Sequence, residues 1–264
     1  LAHIVYSPSK MFDIFIGQKW TTAAGNKGNG SYNFVGGGFQ AGNTGFLAEE
    51  AGATFKMSGI NFTLAMTGKG RNNAGRINQN ELGENPGFAT DLHYSHDMFK
   101  IGLAGHLSSF NYSSDLDYAE GGDRDSYLGV LYGSVKAFGL KLYGEYYQGQ
   151  ALNNINSLGI GAAVSMANGV VSDEIKESGY WATLEYGPTE NDLFKLGYGS
   201  ASVDEDQKAD LGSMSMNTNS YIFVNYGRTL EDNLTAFVQV TQHSTIYGPD
   251  TNEVTFDANV FQSG

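Results

Sequence analysis

Apolar and polar residues take turns along much of the chain, in pairs of segments joined by short turns. Ile60, Phe62, Leu64 and Met66 share one phase, while Asn61, Thr63, Ala65 and Thr67 share the other. In the preceding run Ala53, Phe55 and Met57 alternate with Gly52, Thr54 and Lys56, and Ser58-Gly59 joins the two runs. A period of two sends successive side chains to opposite faces of a β-strand, so this pair predicts a hairpin. A second is predicted where Phe88, Thr90, Leu92 and Tyr94 oppose Ala89, Asp91, His93 and Ser95. After His96-Asp97 it returns through Phe99, Ile101, Leu103, Gly105 and Leu107, opposed by Lys100, Gly102, Ala104 and His106.

Three more pairs follow. Leu140, Leu142, Gly144 and Tyr146 oppose Lys141, Tyr143, Glu145 and Tyr147; the partner run, Ser126 to Ala137, is ambiguous in phase. Tyr180, Ala182, Leu184 and Tyr186 oppose Trp181, Thr183 and Glu185, and after Gly187 to Asp192 come Phe194, Leu196 and Tyr198 against Lys195, Gly197 and Gly199. Ile222, Val224 and Tyr226 lead through Arg228 to Asn233 into Leu234, Ala236, Val238 and Val240, with Asn225, Thr235, Gln239 and Thr241 opposite. At the start, Ile4 and Tyr6 precede a Ser7-Pro8-Ser9-Lys10 turn into Phe12, Ile14 and Ile16; the last apolar phase is Val254, Phe256, Ala258 and Val260. Thirteen strands are readable.

Between the hairpins lie long polar segments: 21–50, 70–86, 110–125, 150–178, 202–217 and 244–252. Short turns at one end of the strands and long loops at the other are the layout of an outer-membrane barrel. Aromatic residues mark both ends. Tyr6, Phe12, Tyr94, Phe99, Phe138, Tyr186, Phe194 and Tyr226 sit near the short turns, and Trp20, Phe88, Tyr127, Tyr146, Tyr180 and Tyr198 near the long loops. Two interfacial girdles produce that pattern. The expected fold is therefore all-β, a transmembrane antiparallel up-and-down β-barrel in one domain, residues 1–264, with short periplasmic turns and long extracellular loops. An even strand number makes it about 14, which leaves part of one or both ends outside the chain. Sixteen is the alternative, because Ala167-Asn168-Gly169-Val170 suits a two-residue hairpin turn. Neither phase of Val170 to Glu177 is clean, so this hairpin reads as part of a loop that either narrows the lumen or projects outward.

Composition agrees with strands: 36 Gly, 16 Tyr and 16 Phe, but 4 Pro, among 264 residues. The mean hydropathy of -0.29 and the absence of any 18-residue apolar run exclude an ordinary membrane helix. They leave a barrel open, since only every second strand residue faces lipid. Without cysteine there is no disulfide framework and no thiolate metal site. A net charge of -13 argues against nucleic acid as a partner. Much of the acidity falls in loops, as in Asp115, Asp117, Glu120, Asp123 and Asp125 or Asp204, Glu205, Asp206 and Asp210. The opening residues lack a basic segment followed by a long apolar stretch, so they are no signal peptide.

Closure in lipid removes unsatisfied sheet edges, and alternation then turns one set of residues inward. That set contains Lys56, Asp91, His93, Lys100, His106, Lys141, Glu145, Glu185, Lys195 and Asp257, and so many ionisable groups require water. His93 and His106 fall on the inward faces of neighbouring strands, but lumen lining explains them without metal or catalysis. The run Asp115 to Asp123 fails the EF-hand template and reads as solvated loop, and Gly159-Ile160-Gly161 lacks the third glycine and helix of a dinucleotide fingerprint. No cofactor is implied.

With alternation, turn asymmetry and girdles together, the chain resembles the porins of Gram-negative outer membranes over nearly its whole length. The resemblance implies outer-membrane location, surrounding lipids as partners, passive diffusion of ions and small hydrophilic solutes, and often a homotrimer. It departs at the end, Phe261-Gln262-Ser263-Gly264, where such barrels usually carry a terminal aromatic. The expected function is a channel and not an enzyme. Its rivals are an adhesin or receptor with a plugged lumen, and a hydrolase at the rim using His243 beside Ser244. The inward set is near charge balance, Lys56, Lys100, Lys141 and Lys195 against Asp91, Glu145, Glu185 and Asp257, so weak selectivity is expected, with acidic loops favouring cations.

Overall fold

The computed structural model describes residues 3–23, 25, 47–68, 86–112, 122–152, 164–167, 170–209, 211, 216–231, 234–249 and 253–263. The described chain forms β1 (His3–Ser9), β2 (Phe12–Trp20), β3 (Leu47–Met57), β4 (Ile60–Thr67), β5 (Gly87–Ser95), β6 (Phe99–Tyr112), β7 (Gly122–Ala137) and β8 (Leu140–Gln150). There follow β9 (Val164–Ala167), β10 (Val170–Glu174), β11 (Lys176–Tyr186), β12 (Asp192–Val203), the short helix α1 (Glu205–Lys208), β13 (Met216–Glu231), β14 (Leu234–Tyr247) and β15 (Val254–Ser263). Thirteen strands make one sheet in chain order, every neighbour antiparallel, with β9 and β10 apart as a two-stranded hairpin. The segments whose alternation predicts strands are these thirteen. The hairpin at 164–174 stands outside the main sheet, so the sixteen-strand alternative is not what forms.

Turn chemistry fixes the register at one end. Ser58-Gly59 and Phe138-Gly139 take positive φ at both residues, 46° and 86°, 54° and 78°. Such two-residue loops match the twist of the flanking strands, so Met57 pairs with Ile60 and Ala137 with Leu140. The first turn lies at Lys10-Met11, two residues beyond the proline that suggested it, because β1 continues to Ser9 through an irregularity after Tyr6. At the other end the strands outrun expectation: β6 and β14 have 14 residues, β7 and β13 have 16. These exceed the roughly 9–11 that cross the hydrocarbon layer, so the sheet extends past it on the long-loop side. The acidic segment after β12 begins with α1, capped by the Asp204 side chain, which accepts from the Asp206 N–H. Most of the acidic run 115–123 and the Gly159-Ile160-Gly161 segment lie outside the described residues.

The two faces differ sharply. Ile101, Leu103 and Leu107 of β6, Leu131 and Val135 of β7, and Leu140 and Leu142 of β8 are all exposed, Leu103 at 58%. The opposite face holds the buried side chains, among them Tyr147, Trp181, Phe223, Gln239 and Asn225. Burial settles the phase of β7, whose Ser126, Leu128, Val130 and Tyr132 share the buried face. Its ambiguity in sequence arose because Leu128 and Val130 are apolar on the inward side. An apolar belt of this extent in water would be a large exposed patch; in lipid it is the solvent-matched surface.

The buried face is concave. Gly25, five residues beyond the end of β2, lies against the Tyr132 ring on β7, where an added Cβ would stand 2.5 Å from the ring. Five strand spacings in a flat sheet measure about 24 Å, while five residues reach at most about 17 Å, so the sheet must curl. The outer strands β1 and β15 are exposed almost throughout, and among the described residues no ladder joins them.

One strand corrects its sequence reading. Asp257 pairs with Ser244, which pairs with Ser220, on the face of Ile222 and Val224; Phe256 and Val260 pair with Thr245 and Thr241 on the face of Asn219 and Phe223. Asp257 is thus not on the inward face. β15 carries apolar residues in both phases, Phe256 and Val260 in one and Phe261 in the other, so its own pattern does not set its register, and a slip of one residue reverses every side chain.

Leu103→Arg, on the apolar face near mid-strand, is expected to destabilise the protein in phospholipid vesicles by about 2–4 kcal/mol. Equilibrium urea unfolding measures it, and an unchanged midpoint would mean that Leu103 does not face lipid.

Candidate functional site

Ladder pairing arranges the inward ionisable groups by depth. Lys56, Lys100, Lys136 and Lys141 lie two residues from short turns and Lys195 four, whereas Asp91, Glu145, Glu50 and Glu177 lie five or more away. Apart from Lys19, which lies deep and is paired with Glu50 at 3.1 Å, the described lysines of this face therefore collect at the short-turn end and most carboxylates lie deeper in. Two carboxylates break the rule and both are paired with lysines: Asp13 with Lys56, and Glu185 with Lys195 at 3.9 Å. Lys100 and Lys141 stand over aromatic faces instead, 4.8 Å from the Tyr132 centroid and 4.3 Å from that of Tyr143. A ring face attracts an ammonium group without cancelling its charge.

Deeper, carboxylates are held by hydroxyls and imidazole. Asp91 accepts from the Tyr132 hydroxyl at 2.5 Å and meets His93 Nδ1 at 2.5 Å. Glu145 is buried between Tyr132 and Trp181, its ladder partners on either side. The Tyr147 hydroxyl donates to Glu177 at 2.8 Å, and Thr67 Oγ1 and His106 Nε2 lie 2.9 Å apart. On the far side Gln239 donates to Thr241 and to Gln262. Buried polar groups that are hydrogen-bonded in this way line a wall without the desolvation cost of unpaired ones.

Glu50 turns the chain inward at the end of β2. Its carboxylate accepts from the Thr21 hydroxyl (2.8 Å), the Thr22 N–H (2.8 Å), the Thr22 hydroxyl (2.6 Å) and Lys19 Nζ (3.1 Å). Charge-assisted bonds to four donors fix Thr21, Thr22 and Ala23 in buried positions, and Gly25 then meets the Tyr132 ring. The segment after β2 thereby crosses the concavity from Glu50 to Tyr132. Sequence reasoning weighed an inward or an outward course for the loop at 150–178 and missed this segment, whose Thr21 and Thr22 lie 29 and 28 positions from the Glu50 that holds them.

The expected lining residues separate into groups. Lys56, Asp91, His93, Lys100, His106, Lys141, Glu145, Glu185 and Lys195 all share the inward face, while Asp257 does not. His106 pairs with Ala89, four positions from His93 along β5, so the two histidines are not brought together. His243 faces inward beside Tyr221, and Ser244 faces the other way, so that histidine cannot take the serine's proton. The rim-hydrolase pairing is thus removed. On the outward face Phe194 and Tyr226 (4.8 Å), Tyr94 and Phe99 (5.7 Å), and Tyr180 and Tyr198 (5.9 Å) form ring pairs at the two strand ends. Also missed were the inward rings that lie on glycines of the neighbouring strand. Tyr132 covers its ladder partner Gly102 and Phe223 covers Gly197, where a Cβ would stand 2.4 Å and 2.1 Å from the ring.

The antiparallel meander of this chain has solved counterparts. The outer-membrane channel DcaP of Acinetobacter baumannii superposes with a TM-score of 0.74 at 10% identity, over 96% of this chain and 74% of that one. The chain has the fold of an outer-membrane porin. An anion-selective porin from Comamonas acidovorans matches at TM-score 0.57 and 11% identity, over 96% of this chain and 75% of that one. OmpT, an outer-membrane protein of Vibrio cholerae, matches at 0.57 and 9%, over 96% and 78%. No family model matches the sequence, and no curated protein does. The likeness is of fold, and these counterparts are outer-membrane proteins, the setting that the apolar belt requires.

Glu50→Ala removes the acceptor for the Thr22 N–H and is expected to speed hydrogen exchange of that amide at least tenfold, about 1.4 kcal/mol of lost protection. Exchange unchanged from the parent protein would show that Glu50 does not hold the inward segment.

Proposed function

We propose that this chain is a passive channel through which ions and small hydrophilic solutes diffuse along a water-filled lumen. The observation that carries the reading is the wall itself. Lys56, Lys100, Lys141, Glu185 and Lys195 remain partly accessible on the concave face, while the convex face is a belt of Leu, Ile, Val and aromatic residues. Charged groups in that position require water, and water on the inside of a lipid-facing sheet is a pore. In this reading Lys56, Asp91, His93, Lys100, His106, Lys141, Glu145, Glu185 and Lys195 line the lumen, and Gly25 narrows it against Tyr132.

The strands β1 and β15 run in the same direction, because an even number of reversals separates them. One further antiparallel strand between them closes the barrel at 14. The whole chain then acts as one domain in outer-membrane lipid, with periplasmic short turns and extracellular long loops. A homotrimer follows from the porin resemblance alone. The named neighbours include a channel and an anion-selective porin, and both support a transport role for a barrel of this build.

A second reading, a receptor or adhesin with a plugged lumen, draws on the burial of Thr21, Ala23, Leu152 and Ile175 near the long-loop end. Flux separates the two. In planar bilayers the folded protein is expected to give discrete conductance steps, and Tyr132→Ala, which removes the ring under Gly25, is expected to enlarge them. No steps in bilayers and no solute flux into liposomes would defeat the channel reading and favour the plugged one.

A further inference from the structure

We propose that the short-turn mouth of the concave face carries a binding site for a small multivalent oxyanion, phosphate in its simplest form, built from Lys100, Lys136 and Lys141.

Lys136 and Lys141 are direct ladder partners across the β7–β8 hairpin. Directly opposed residues have Cβ atoms about 4.5–5.5 Å apart, and like charges so placed repel. They cannot slip past one another, because the two-residue turn Phe138-Gly139 locks the register. Lys100 joins them from β6, where it pairs with Ser134, two residues from Lys136 on the same face. The Met98 carbonyl accepts from the Lys136 N–H at 2.7 Å and ties the β6 turn to this corner.

The three lysines line a cavity of about 320 Å³ together with Ser95, Ser134 and Tyr143. Two carboxylates face the cluster. Asp97 lines the same cavity from the β5–β6 turn, and Glu185 lies opposite Lys141 from β11, with Lys195 as a second claimant. Within the cavity lining itself three lysines meet one carboxylate, Asp97, an excess of two positive charges, while Asp91 and Glu145 lie deeper beside Tyr132. Compact ammonium groups converging from three strands suit an oxygen-rich anion of matching charge, and hydroxyls can donate to its remaining oxygens. A chloride ion is too small to meet three strands across this space.

The face decides the source. The lysines share the inward side with Tyr143 and Thr183, not the outward side with Leu140, Leu142 and Val135. A lipid headgroup approaches along the outward side, so the ligand is a soluble phosphate or phosphate ester. The site stands on strand ends and needs no solute passage, so it can fail while the channel reading survives, and the reverse.

The test is the ³¹P linewidth of inorganic phosphate, and separately of glycerol 3-phosphate, titrated against the folded full chain in detergent micelles at fixed ionic strength. Saturable broadening is expected, displaced by pyrophosphate and not by chloride. Lys136→Gln/Lys141→Gln is expected to weaken binding at least tenfold, and Lys10→Gln, at the exposed turn between β1 and β2, to change it less than twofold. Because the double variant also removes a repulsion, it is expected to melt no lower than the parent and to lose the rise in melting temperature that phosphate gives the parent over chloride. Binding of the ester alone, or of phosphate alone, supports the site and names its source. Absence of saturable broadening with either probe, equal competition by chloride, an undiminished double variant, or equal weakening by Lys10→Gln would overturn the proposal.

Discussion

Everything in this molecule depends on where its backbone hydrogen bonds go. Lipid supplies neither donors nor acceptors, so each N–H and C=O in the hydrocarbon layer must find a partner on a neighbouring strand. Antiparallel ladders meet that demand on both sides of every strand between β1 and β15 and on one side of those two, and the alternation of side chains follows from the pleat. Once one face is committed to lipid, the other has no choice but to hold whatever the sequence places in the intervening positions. Here those positions hold lysines, carboxylates, amides and aromatic rings.

The inward face is not uniform. Near the long loops it is packed, with Tyr147, Trp181 and Phe223 fully buried and the Glu50 cluster drawing the chain after β2 across the concavity. Near the short turns it is more open, and its charges are mostly cationic. Expecting near balance from a list of inward residues misses this, because charges that sum to little can still be separated along the axis. Moving Asp257 to the other face and adding Asp13, Glu50, Glu177, Lys19 and Lys136 changes the picture from a neutral wall to a graded one. Fields of that kind act on dissolved ions over about a Debye length, roughly 8–10 Å at ordinary salt.

Strand identity was legible because every strand buried on one side only must alternate, as Ile60 to Thr67 and Phe99 to Leu107 do. Turn positions were legible where Gly follows a residue that can take positive φ, as at Ser58-Gly59. What alternation cannot report is a strand whose inward residues are apolar, as Leu128 and Val130 make β7, or one with apolar residues in both phases, as β15 has. In both cases the neighbours decide: Gly149 and Gly102 accept the inward side of β7, and the ladder with β14 sets β15. The inward course of residues 21–23 and Gly25 escaped notice for a different reason. Its placement rests on a contact between residues more than a hundred positions apart, Gly25 and Tyr132, and no local pattern encodes that.

The central claim is the assignment of faces, and the absence of native cysteine makes it directly accessible. Single cysteines placed in turn at Ala53, Thr54, Phe55, Lys56 and Met57 of β3, whose inward positions 54 and 56 are partly accessible, each carry a nitroxide in vesicle-reconstituted protein and report collision with oxygen and with a water-soluble nickel chelate. Oxygen accessibility is expected to peak at 53, 55 and 57 and chelate accessibility at 54 and 56, with a period of two. The opposite phase, or no period at all, would contradict a sheet that turns its leucines to lipid and its charges to water.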